Sequence, residues 1–134
     1  MTVSTVNRGA NPLSKQLLRY VITGLVNTGL GLLVILTMHL GFDVNLIASN
    51  AVGYGVGLLC SFTLNRSWTF ESEKNILGAG LKYMMLIGIA FSLCLLTLTS
   101  LQSAGTSYLA AQILGTALYS IIVFLGAKYV VFSN

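Results

Sequence analysis

Arg19, Arg66, Lys82 and Lys128 each sit at the edge of an apolar run, in a chain where only 7% of residues are charged. Arg19-Tyr20 and Lys82-Tyr83 open such runs, whereas Arg66 and Lys128 close them. Cations gathered at one level could hold a phosphate or pyrophosphate, Arg as a bidentate fork and Lys as a point charge. A second set is neutral. Asn27, Asn50 and Gln112 lie inside apolar runs, and Asn65 lies at the end of one. An amide has several hydrogen-bonding groups that hydrocarbon cannot satisfy, so each must meet another amide, water or a polar ligand. Both sets also have a plain reading. Basic and aromatic side chains anchor helix ends at headgroup level, and amides join helices.

Other chemistries find no support in the residue pattern. No Asp, Glu, Lys, Arg or His occupies the middle of an apolar run: Asp43 and His39 are at one edge, and Glu71 and Glu73 lie between runs. Proton relays in membrane proteins use intramembrane ionisable groups, which argues against proton-coupled export. No Cys, His or carboxylate set has metal-ligand spacing, and the single His leaves no plausible hydrolase triad. The expectation is a chain that is not an enzyme, with no metal and no cofactor. Cys60 and Cys94 are inside apolar runs and read as packing residues, since disulfides favour oxidised loops. The net charge of +4 suits anionic lipid headgroups rather than nucleic acid.

The elements that carry these residues follow from hydropathy. The chain is 55% hydrophobic, with runs at 20–40, 46–64, 83–101 and 108–127. Each is close to the ~20 residues that a helix needs to cross a bilayer core. These spans take about 80 residues, leaving little for a soluble catalytic domain. Arg8, Lys15 and Arg19 precede the first run, Arg66, Lys74 and Lys82 separate the second from the third, and Lys128 closes the fourth. Connections 41–45 and 102–107 carry no Lys or Arg. Basic short loops stay cytoplasmic, so both termini and the central loop are expected inside. The fold class is therefore an all-α, multi-pass integral protein of the cytoplasmic (inner) membrane, with four transmembrane helices. Residues 1–18 read as a polar, flexible entry, and 19–134 as the transmembrane domain. No small-residue cleavage site follows the first run, which is expected to stay as an uncleaved span.

The two halves resemble each other. At an offset of 62, Ala48 matches Ala110, Asn50 Gln112, Gly53 Gly115, Phe62 Phe124, Arg66 Lys128 and Phe70 Phe132. The chain thus reads as two tandem two-helix repeats, about 19–70 and 82–132, inserted with one orientation. Ser49, Gly53, Gly57 and Ser61 recur every fourth residue, and Gly24 and Gly31 in the first run and Gly115 in the fourth extend the pattern. Small residues so spaced let helices approach closely in lipid. Tyr20, Trp68, Phe70 and Tyr83 read as interfacial anchors.

The Arg19-Tyr20 entry, the Gly24-Leu25-Val26-Asn27-Thr28 stretch and the exit Asn65-Arg66-Ser67-Trp68-Thr69-Phe70 resemble the GtrA-like family over roughly residues 17–132. The resemblance implies a small four-span protein of cell-surface polysaccharide synthesis in the cell envelope. Its members are thought to flip a polyprenyl-phosphate-linked sugar, or to assist the glycosyltransferase that makes or uses it. It carries roles in binding the lipid-linked substrate onto Asn27, Asn65 and Arg66. The second exit, Gly126-Ala127-Lys128-Tyr129-Val130-Val131-Phe132, lacks the Asn and Trp, so equivalent binding by both halves is not expected. The implied partners are the lipid-linked sugar, membrane lipids and a separate membrane glycosyltransferase. A homodimer is a further expectation, because four short helices enclose little volume. Two roles stay open: transport of the lipid-linked sugar, or a non-transporting scaffold that recruits the transferase.

Overall fold

A computed structural model describes residues 12–133; Arg8 and the start of the polar segment lie outside the described residues. All regular structure among them is helical. Helix α1 spans Pro12–Leu36, α2 Leu46–Leu64, α3 Ile76–Ser103 and α4 Tyr108–Gly126. Helices α1, α2 and α4 each run on into a wider, π-helical turn, at Thr37–Gly41, Asn65–Thr69 and Ala127–Val131. With these turns the four helices measure 24 to 30 residues, long and apolar enough to cross a membrane.

Helix starts differ from the edges of the apolar runs for local reasons. Pro12 opens α1 because its missing N–H falls among donors that have no intrahelical partner anyway. Residues 12–18 are therefore helix, where the polar composition predicts a flexible entry. Helix α3 begins at Ile76 because the Asn75 Oδ1 accepts from the backbone N–H groups of Leu77 and Gly78, at 2.8 and 3.4 Å. Lys82 consequently stands in the second turn of α3 and not at its entrance. Gly105, at φ +89°, ends α3 in the left-handed conformation. The Gly105 N–H donates to Gln102 O and the Thr106 N–H to Leu101 O, closing the last turn.

The offset of 62 read from the sequence also relates the element bounds. Leu46–Leu64 maps onto Tyr108–Gly126, and the wide turn Asn65–Thr69 onto Ala127–Val131. The Phe70 N–H donates to Asn65 O at 2.9 Å, and at the matching place the Phe132 N–H donates to Ala127 O at 2.8 Å. Even the caps correspond: Asn45 Oδ1 accepts from Ala48 N–H, and Ser107 Oγ accepts from Ala110 N–H.

By packing, the chain divides between Leu64 and Asn65 into two compact units. The residues 65–70, which close the first repeat in the sequence, thus belong to the second unit. In the first unit α1 packs on α2. A Cβ on Gly53 would stand 2.9 Å from the Gly31 carbonyl oxygen and would also strike the Ile35 side chain. Only glycine permits that approach. Gly24, in contrast, faces open space.

In the second unit α3 packs on α4. A Cβ on Gly115 would lie 3.3 Å from both the carbonyl oxygen and the Sγ of Cys94. Below this contact an aromatic core forms. The Phe70 ring centroid is 5.8 Å from Phe124 and 5.7 Å from Phe132, and Tyr83 is 6.0 Å from Phe132. All four side chains are buried. Phe70 and Tyr83 are therefore core residues here, where their position at span ends predicts headgroup anchors. Offset aromatic packing within the unit takes the surface that lipid headgroups would otherwise meet. Trp68 and Tyr20 remain partly exposed.

Candidate functional site at the basic helix ends

The central connection is built around Arg66. Its Nε and Nη2 both donate to the Lys74 carbonyl oxygen, at 3.2 and 2.8 Å. The Ser72 N–H donates to the Arg66 carbonyl oxygen at 2.8 Å, and the Lys74 N–H donates to Ser72 Oγ at 3.2 Å. Glu71, at φ +48°, reverses the chain between them. Arg66 thus spends part of its guanidinium on closing this loop. A hydrogen bond from a charged donor is worth about 1.5–3 kcal/mol, less where solvent reaches it.

The basic residues divide between the units. Arg19 is half-buried in α1 of the first unit, while Arg66, Lys82 and Lys128 belong to the second. Lys82 is exposed on α3, and the Lys128 ammonium lies 5.4 Å from the Tyr129 ring centroid, a cation–π distance. Lys74 and Lys82 share a groove of about 160 Å³ with Asn75, Gly78, Ala79 and Val131. The sequence gives no sign of Lys74 as a site residue. Its placement depends on the Glu71 reversal, and that position carries no glycine to mark it.

The amides have different surroundings. Asn27 is half-buried in α1, and its Oδ1 would be 2.6 Å from a Cβ on Gly57. That oxygen is enclosed and accepts no hydrogen bond. Asn50 Nδ2 donates to Leu46 O in its own helix at 2.8 Å, and Gln112 is half-buried in α4. Asn65 is only 1% exposed, and its Nδ2 donates to the Tyr83 hydroxyl oxygen at 3.4 Å. The Asn of the exit motif therefore faces the aromatic core of the second unit. Among the described residues no three His, Cys, Asp or Glu side chains converge to hold a metal ion.

Comparison with known protein families gives a match over most of the chain. The family model for the GtrA/DPMS transmembrane domain matches residues 19–132, nearly the whole chain. The chain belongs to this family. Four apolar helices and a transmembrane family domain make it a multi-pass membrane protein. No curated protein and no solved structure matches it.

Proposed function

We propose that this GtrA/DPMS-domain protein moves a polyprenyl-phosphate-linked sugar across the cytoplasmic membrane, for use in cell-surface polysaccharide synthesis. The protein itself catalyses no bond change. In the second unit Arg66, Lys82 and Lys128 attract the phosphate at the inner face, and in the first unit Arg19 does so. Asn27 and Asn50 in the first unit and Gln112 in the second offer hydrogen bonds to the sugar. The buried Asn65 serves the aromatic core instead, and the polyprenyl tail stays in lipid. By helical rise Asn27 is about 10 Å in from the basic entry, a distance a sugar headgroup spans in one step. Transport is passive and follows consumption of the sugar outside, since the middle of each apolar run holds no Asp, Glu, Lys, Arg or His to couple it to protons.

The observation that carries this reading is the enclosed, unsatisfied Asn27 Oδ1. A buried acceptor without a donor costs free energy, and parting of α1 and α2 at the Asn27–Gly57 contact would let a sugar hydroxyl donate to it. The competing role is a scaffold that recruits a glycosyltransferase, favoured by Asn50 bonding to its own helix and leaving no ladder.

Reconstitution separates the two. Purified protein in liposomes, with labelled polyprenyl-phosphate sugar and no transferase, should equilibrate the label between leaflets. An Asn27→Ala/Asn50→Ala/Gln112→Ala variant at equal abundance should slow it severely. Wild-type rates in that variant would remove the polar path, and no movement by the wild type would leave the scaffold.

A further inference from the structure

Lys74 is an exposed loop residue whose backbone is held at both ends by side chains. Its carbonyl takes the Arg66 fork and its N–H reaches Ser72 Oγ. Water would satisfy those groups as well, so the double hold serves placement more than satisfaction. What it places is one wall of the groove at the start of α3. Asn75, Gly78, Ala79 and Lys82 fall on one face of the first two turns of that helix, at spacings of three and four residues. Gly78 leaves the floor open, since a Cβ there would meet nothing within 4 Å. Ala79 and Val131 supply a buried apolar floor. Neither the Lys74 nor the Lys82 ammonium is in an ion pair among the described residues, although Glu73 is in the same loop.

We propose that this groove binds the phosphate of a lipid phosphate monoester, with Lys74 and Lys82 as its ammonium ligands and Arg66 as a positioning residue acting through the Lys74 backbone. The assignment rests on the reading that the protein handles a lipid-linked phosphate, and it moves the phosphate contact within the second unit from Arg66 to Lys74. Two ammonium groups match the dianion of a lipid phosphate monoester, the carrier that remains once the sugar has been transferred. The sugar-linked form, in contrast, is a diester with a single charge. The floor of Gly78, Ala79 and Val131 accepts the first carbons of an apolar chain and gives a free inorganic anion nothing. Arg66, already committed to the Lys74 carbonyl, orients one ligand and keeps the loop from collapsing onto the groove.

The test uses the full chain in phosphatidylcholine nanodiscs and the equilibrium binding of radiolabelled farnesyl phosphate. Lys74→Gln and Lys82→Gln should each weaken binding by about tenfold, the scale of one charged hydrogen bond, while Lys15→Gln leaves it unchanged. Gly78→Leu should fill the floor and weaken binding with no loss of thermal stability. Arg66→Gln should weaken binding in the wild-type background and have no added effect in Lys74→Gln; an effect that persists there makes Arg66 a direct ligand and overturns its positioning role. Unchanged affinity in the Lys74→Gln/Lys82→Gln variant overturns the site. So does equal competition by inorganic phosphate or by phosphatidylglycerol, which would show a general anion contact. Binding here and movement in liposomes are separate readouts. A protein that binds at the groove but moves nothing sinks transport and keeps the site, and one that moves lipid with both lysines replaced does the reverse.

Discussion

Asn27 and Gly57 meet face to face inside the first unit, with the amide oxygen at 2.6 Å from where a Cβ on the glycine would stand. The contact joins α1 to α2 through a polar atom and a bare backbone. It explains why a residue without a side chain sits opposite an amide: any Cβ would have to displace that oxygen. The same oxygen is enclosed and accepts no hydrogen bond, so the pair is a packing contact that holds an unsatisfied acceptor.

Gly57→Ala should destabilise the protein by about 1 kcal/mol, because overpacking outweighs the helix preference for alanine. In an Asn27→Ala background the same change should be neutral or favourable. The coupling, about 1 kcal/mol, is read from a double-mutant cycle of unfolding in bicelles. Strict additivity would mean that the two residues do not touch.

Gly53 gives a sharper case. Its missing Cβ would lie 2.9 Å from the Gly31 carbonyl oxygen, which is backbone and cannot rotate away. Gly53→Ala should therefore cost about 1–3 kcal/mol, and no substitution at Asn27 should restore it. Thermal unfolding of the purified variants compares the two glycines directly.

Tyr83→Phe leaves the ring in the aromatic core and removes the hydroxyl that accepts from Asn65 Nδ2. The cost should be about 1 kcal/mol, the net worth of one hydrogen bond at the buried Asn65. If Tyr83→Phe is neutral in an unfolding titration, the 3.4 Å contact contributes nothing to stability.

The inward orientation expected of the basic loop from the distribution of Lys and Arg is open to labelling. In a background with Cys60 and Cys94 replaced, cysteines at Asp43 and Ser103 should react with an impermeant thiol reagent from outside. A cysteine at Glu73 should react only after permeabilisation. Glu73 is the better probe than its neighbour Ser72, which is buried and accepts from the Lys74 N–H. Outside labelling at Glu73 would invert the topology.

Much of this protein is written in its one-dimensional pattern. Bilayer thickness sets how many apolar residues a span needs, so the four helices are legible in hydropathy alone. The glycines Gly31, Gly53, Gly57 and Gly115 are readable for a similar reason, since close approach in lipid requires small side chains at helical spacing. Gly24 has the same spacing and faces nothing. Periodicity fixes which face a residue is on, and only packing fixes whether another helix covers that face. The fate of the exit motif was likewise decided in three dimensions. The residues 65–70 close the first repeat in sequence yet pack with the second unit, because Phe70 finds Phe124 and Phe132 and Asn65 finds Tyr83 there. Arg66 reads in sequence as a cation free to bind phosphate. The reversal at Glu71 brings the Lys74 carbonyl under its guanidinium, and no local signal shows which groups a turn will bring together.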